Sequence, residues 1–264
     1  MIARDYAEGT WRPSPGAAPA AARVRAQALA DVRATLRNGE QLLLTLVIPL
    51  LLLVGLTLFD AVPDTALTAG QSAINVVAPS IIALAVMSTA FTSLAISTGF
   101  DRRSGALRLL ATTPLTRGQL VLARTIAVLL IEVLQIILIA AVALALGWRP
   151  SGEPVAAVLL VLVGTLAFAT WGVALAGLLR AEATLAAANA IYLVLLLAGG
   201  VAIPQSAYPA PLAAIVSLLP SGALAGGLRQ ALTSGGGWPL AAVAVLAGWA
   251  VAGYLLAART FKWE

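Results

Sequence analysis

From Ala183 to Leu228 the chain runs 46 residues without a charged side chain, and from Thr65 to Phe100 it again carries none. A soluble core does not take up uninterrupted apolar stretches of that length, whereas roughly 20 apolar residues cross a bilayer as a helix. Over all 264 residues, 61% are hydrophobic and 10% charged, with a mean hydropathy of +0.97. Those values point to an all-α polytopic membrane protein, because only helices and closed barrels satisfy their backbone in lipid. The chain holds neither Cys nor His, which removes disulfides, thiolate chemistry, Ser/His and Cys/His catalysis and the usual zinc and haem ligands. No metal site is expected. The five aspartates, Asp5, Asp31, Asp60, Asp64 and Asp101, fall outside the apolar runs, the first of which ends at Phe59, which argues against an intramembrane protease.

Charges and prolines divide the chain. Residues 1–20 carry Arg4, Asp5, Glu8, Arg12, Pro13, Pro15 and Pro19 without an apolar stretch, and are expected to form a disordered tail rather than a signal peptide. In residues 21–40 a helical wheel groups Val24, Ala28, Leu29, Val32 and Leu36 on one side, with Arg25 as an exception, and Arg23, Gln27, Asp31, Arg33 and Arg37 on the other. Such a helix is expected in the interface plane; a solvated helix feeding the first span is the alternative. A single transmembrane domain over 41–260 then takes six spans, at about 42–62, 74–100, 119–146, 155–179, 183–203 and 238–258. Pro79 is expected in the first turn of the second span, where its missing N–H costs little.

The second half of the long uncharged run is broken by Pro204, Pro209, Pro211, Pro220, Gly222, Gly226 and Gly227. Pieces such as 212–219 are too short to cross. Residues 210–233 are therefore expected to form a re-entrant outer helical hairpin bent at Pro220-Ser221-Gly222, which requires protein or a water-filled cavity around it. A seventh span through 212–228 is the alternative. The basic residues favour six: six lie before residue 40, five between Arg102 and Arg124, one at Arg180 and two at the C-terminus, against only Arg149 and Arg229 on the other side. That bias places both termini in the cytoplasm, and it accounts for the net charge of +5 without nucleic acid.

Residues 101–117 sit between the second and third spans and hold Asp101, Arg102, Arg103, Arg108 and Arg117 beside Leu107, Leu109, Leu110 and Leu115. Arg102-Arg103, Gly105, Leu107, Leu110, Thr113-Pro114-Leu115 and Arg117 follow in order the pattern of the cytoplasmic coupling helix of type-2 ABC exporter permeases. The chain resembles the drug- and lipid-exporting branch that includes the daunorubicin-resistance permeases, although many relatives carry a glutamate where this chain has arginines after Asp101. The resemblance implies that Arg102, Arg103, Gly105, Leu107, Arg108, Leu110, Thr113, Pro114, Leu115 and Arg117 dock on a separate ABC ATPase subunit, present in two copies. It also implies a bacterial cytoplasmic membrane and a drug-like or lipid-like amphipathic cargo moved out of the cytoplasm or the inner leaflet. Without the family pattern, the leucines would serve only to anchor a surface loop against lipid.

Nucleotide must be bound elsewhere. A P-loop needs G-x-x-x-x-G-K-[ST], and the only lysine is Lys262, so ATP and Mg are expected on the partner and no cofactor in this chain. Six spans without duplication make half of a pathway, so a second permease copy, identical or related, is expected. Glu132 is the candidate for the translocation path, since a charge at mid-bilayer costs roughly 2.5 to 3.5 kcal/mol. Gln135 lies one turn on, and Asn75 and Asn189 join from the second and fifth spans; a carboxyl bonded between helices, or a partner for Arg124, is the structural alternative for Glu132. A non-transporting assembly or scaffold subunit that grips a cytoplasmic partner is the rival function. A secondary transporter is disfavoured by a single intramembrane Glu and no inverted repeat.

Overall fold

The computed structural model describes residues 16–59, 72–233 and 235–260. The tail before residue 16, the loop with Asp60 and Asp64, the end of the first expected span at 62, the Arg117 side chain and Lys262 lie outside the described residues.

The described residues form helices without strands. Helix α1, Ala20–Arg37, ends at Asn38, whose extended backbone breaks the helix and whose side chain accepts from the Gln41 N–H at 3.2 Å. Gly39–Leu42, a π-turn over Leu43–Val47 and α2, Ile48–Leu58, then follow. Helix α3 runs over Ala73–Arg103, with a second π-turn at Met87–Ser93. The short α4, Ala106–Ala111, leads to α5, Arg117–Ala145. Helices α6, Pro154–Leu178, and α7, Ala181–Ala198, are joined by a tight turn. Helices α8, Ala210–Leu218, and α9, Pro220–Ala231, precede α10, Leu240–Thr260.

Among the described residues, five helices are long and apolar enough to cross a membrane, α3, α5, α6, α7 and α10; the bent pair α8 and α9 would make a sixth if it were one span. The chain is a multi-pass membrane protein. Helices α8 and α9 meet at an angle of 99°, because the extended backbone of Leu219 and the ring of Pro220 stop one helix and start the next. The stretch Thr45–Leu58 is apolar but shorter than a full span.

Helix α3 is the axis of the bundle. Its apolar window is 89% buried, against 17% for α7 and α10, and it packs on α2, α5, α6, α7 and α9. Pro79 is not in its first turn: the helix starts at Ala73, so Pro79 is interior. It withholds the N–H that would bond the Asn75 carbonyl, and the packed neighbours of α3 hold the segment helical despite the lost bond.

Gly172 of α6 lets that helix approach the π-turn of α3 closely, since a Cβ there would stand 2.9 Å from the Phe91 carbonyl oxygen. Gly172→Ala is expected to cost about 1–3 kcal/mol through this backbone clash. Thermal unfolding in detergent should show that loss, while Gly248→Ala on α10, with nothing within 4 Å of the new methyl, should leave the midpoint undiminished or slightly raised, since alanine is the better helix former.

Candidate coupling segment and buried polar face

The segment between α3 and α5 is shaped by its own residues. Gly105 adopts φ 79°, left-handed geometry that turns the chain out of α3 into α4. Thr113 donates to the Leu110 carbonyl at 2.6 Å and closes α4. Thr116 then opens α5 with a capping box, accepting from the Gln119 N–H at 3.3 Å while its own N–H donates to Gln119 Oε1 at 3.2 Å.

The two sides of this hairpin do different work. Leu107 is fully buried and Leu115 8% exposed, packed with Leu120 and against Leu110 in a small cluster. Leu109 is 71% exposed, and Arg108, Thr112, Thr113 and Pro114 are exposed with it. Leu107 and Leu115, expected at a docking surface, thus face this chain and hold α4 on the start of α5. The outward apolar residue is Leu109, which the sequence pattern passed over. Leucines three apart share one helix face, and nothing in their spacing says whether the chain or a partner covers it.

Arg102 and Arg103 also turn back on the bundle. Arg102 donates from Nη1 to the Ala176 carbonyl at 2.8 Å and the Gly177 carbonyl at 3.2 Å, and from Nη2 to the Leu179 carbonyl. It therefore caps the C-terminus of α6, where carbonyls lack partners and the helix dipole is negative. Arg103 pairs with Glu182 in the first turn of α7, with both side chains more than 60% exposed. The segment is tied to α6 and α7 as well as to α3 and α5.

Helix α1 leans on the same end. Val24 and Ala28 are buried against Ala123 and Ile126 of α5, and Arg23 donates to the Pro114 carbonyl. Leu29 and Leu36 of the same apolar side remain exposed, at 41% and 42%. Asp31, which the wheel put on the polar side, is half-buried among polar groups under the helix.

The polar residues of α5 point to different neighbours. Arg124, 7% exposed, donates to Thr98 Oγ1 at 2.6 Å and to Asp101 Oδ2 at 2.5 Å, so it is not the partner of Glu132. Glu132, 1% exposed, accepts at 2.5 Å from Thr165 of α6 through Oε2, and its Oε1 has no partner among the described residues. It lies against an apolar cleft of about 290 Å³ between α5 and α6. Gln135, equally buried, turns the other way: its Oε1 accepts from Thr89 Oγ1 at 2.9 Å, and its Nε2 donates to the Thr45 carbonyl at 2.6 Å. One side chain thus bridges the two π-turns.

The structure does not bring Asn75 and Asn189 to this face. Asn75 lies 14 residues before Thr89 on α3, about 21 Å along the helix. Its Oδ1 is buried without a partner among the described residues. Asn189 is exposed on the outside of α7, where its amide donates to its own helix at the Leu185 carbonyl, 2.9 Å.

Residues 62–259 match the model of a known family, described as ABC-2 family transporter protein. No curated protein matches the chain. The family match takes in α3 with its turn-back into α4, the bent pair α8 and α9 and nearly all of α10, and on that ground the chain belongs to the ABC-2 family of transporter proteins, as a membrane permease component whose kind implies an ABC ATPase partner.

Proposed function

We propose that the chain is the transmembrane subunit of an ATP-driven exporter that moves a hydrophobic or amphipathic molecule out of the cytoplasm or its inner leaflet. The observation that carries this reading is α4, held to the bundle through Leu107, Leu115 and Arg102 while it presents Arg108, Leu109 and Thr112 outward. A rigid attachment on one side and an open basic and apolar face on the other suit a lever driven by a partner. Two copies of a separate ATPase would bind ATP and Mg, and their closure would push α4 and, through Arg102 and Arg103, tilt α6 and α7. A second permease copy, identical or related, would complete the path. Both termini and α4 would then lie in the cytoplasm of a bacterial cell, the bent pair α8 and α9 at the outer face.

In this reading Glu132 contributes a polar point on an otherwise apolar cleft. Glu132→Gln keeps the acceptor for Thr165 and removes the ionisable carboxyl, so the fold should survive. ATP-driven uptake of a lipophilic dye into inverted vesicles carrying the chain and its ATPase should fall by about tenfold, equivalent to ~1.4 kcal/mol of lost interaction. Wild-type uptake by the variant would exclude a role for the ionisable carboxyl. Vesicles showing no ATP-dependent uptake of any amphiphile, with the ATPase bound, would sink the exporter reading and favour a scaffold.

A further inference from the structure

Arg25 stands on the apolar side of α1, an exception that neither the packing of that helix nor the coupling segment explains. Its neighbour Arg23 donates to the Pro114 carbonyl, and Arg102, Arg103, Arg124 and Arg229 all have partners in the bundle. Arg25 is exposed and has neither a hydrogen bond nor an ion pair among the described residues. It borders a groove of about 440 Å³ between α1 and α5. Ala21 and Leu29 of α1 and Leu122, Ile126 and Leu130 of α5 form the walls, and Val24 and Ala28, packed with Ala123, close the floor. Gln119 is the one other polar residue on it among the described residues, and no carboxylate lines it. The capping box holds Gln119 Oε1 on the Thr116 N–H, which leaves its Nε2 without a partner among the described residues.

The groove has a polar end and an apolar end, and the polar end lies at the membrane surface. Helices α1 and α5 advance in the same sense: Arg23 reaches Pro114, just ahead of α5, whereas Thr35 and Asn38 border one cavity with Val128 and Ile131. Arg25 and Gln119 therefore lie near the start of α5, where that span leaves the hydrocarbon, and Leu29, Ile126 and Leu130 lie deeper. Leu130 follows Gln119 by eleven residues, about 16 Å along the helix, close to half of a hydrocarbon core of ~30 Å. Leu122 and Leu130 are exposed on a membrane-spanning helix, so the groove opens sideways onto one leaflet.

We propose that this groove holds one phospholipid of that leaflet with a net negative headgroup. Arg25 donates to the phosphate, and one acyl chain lies over Leu122, Ile126 and Leu130. The arginine then keeps its stem on the apolar wall and its guanidinium at the surface, which accounts for a charge on that side of the helix. A soluble anion would leave the apolar walls bare. A zwitterionic lipid brings its own cation to the phosphate and gains less from Arg25. A second copy is disfavoured because the groove has no carboxylate to offer another arginine-bearing face. The lipid fastens α1 to α5 from outside the bundle and is not cargo, since the groove shares no lining residue with the cleft at Glu132. The inference rests on α5 spanning the membrane and not on ATP-driven export.

The full chain, purified in nonionic detergent without any partner or nucleotide, would be titrated with palmitoyl-oleoyl phosphatidylglycerol, with phosphatidylcholine of the same chains and with glycerol 3-phosphate, and bound molecules counted by native mass spectrometry. Phosphatidylglycerol should bind about tenfold more tightly than phosphatidylcholine, and glycerol 3-phosphate should not bind. Arg25→Gln should remove the preference. Arg33→Gln, exposed on the same helix but outside the groove, should keep it. Equal binding of the two lipids overturns the proposal, as does an Arg25→Gln chain that elutes as the wild type does and keeps the preference. An equal loss in Arg33→Gln would mean a diffuse basic surface, and binding of glycerol 3-phosphate a bare anion site; either result overturns it too. A lipid-free pair of chains that Leu122→Ser separates would give the groove to a second copy and overturn it as well.

Discussion

Arg229→Met is expected to cost about 3 kcal/mol or more, the largest loss of stability for any single polar side chain in the fold. Arg229 ends the long uncharged run, and its guanidinium gathers three elements. Nε and Nη2 donate to Ser80 Oγ of α3 at 3.1 and 2.9 Å, and Nη2 also reaches the Gly200 and Val201 carbonyls after α7, each at 2.9 Å. Removing the head leaves those carbonyls and the Ser80 hydroxyl without their donor and frees α9 from α3. Lysine is expected to recover only part of the loss, because one ammonium cannot fork between these acceptors. The check is a denaturant or thermal midpoint in detergent, with Arg149→Met, at an exposed loop position, as the neutral control. An Arg229→Met midpoint equal to the control would show that packing alone fixes the bent pair.

The second large effect is expected at Arg102, and it separates attachment from drive. Arg102→Ala removes donors from three carbonyls at the end of α6, for a stability loss of about 1–3 kcal/mol. The outward face of α4 is untouched, so a bound ATPase should remain bound. ATP-driven transport, however, should fall by about tenfold or more, since motion of α4 no longer reaches α6; a factor of ten corresponds to only ~1.4 kcal/mol of lost coupling. Arg103→Ala makes the contrast: the pair with Glu182 is exposed on both sides, and such pairs contribute about 0–1 kcal/mol. Equal transport losses in the two variants would contradict a specific role for the α6 cap.

The spans were legible because the bilayer fixes their length and polarity, and the chain obeys that limit in five long helices. The bend at Leu219–Pro220 was legible too, since proline next to short apolar pieces forces a break. What could not be read was direction across a helix. The 3.6-residue period grouped Leu107 and Leu110 on one side of α4 without telling inside from outside, and the inward side is theirs. Glu132 and Gln135 are three residues apart, and the small angle between them is enough to send one to α6 and the other to α3 and the first apolar segment.

Long-range bonds left even less trace. Arginine to a backbone carbonyl, as at Arg102 and Arg229, has no partner residue type to find in a sequence. For Arg229 there was one usable signal: a lone arginine closing an uncharged run at membrane depth requires a buried partner. For Asp31 the wheel misled, because the side of α1 that looked solvated lies over Arg124 and Asp101. Asn189 shows the opposite error, an amide that bonds within its own helix and needs no path to face.

The most direct test of the account is co-purification. The chain, tagged and solubilised from its native membrane, should bring with it a P-loop ATPase, and Arg108→Glu with Leu109→Asp on the exposed side of α4 should abolish that capture while the chain itself elutes unchanged. Leu107→Ala, on the buried side, should lower the thermal midpoint by the cost of a core cavity, about 2–5 kcal/mol, yet leave capture by the folded fraction intact. A chain that purifies without any nucleotide-binding companion, or one whose capture survives the exposed substitutions and depends only on Leu107, would contradict the docking face.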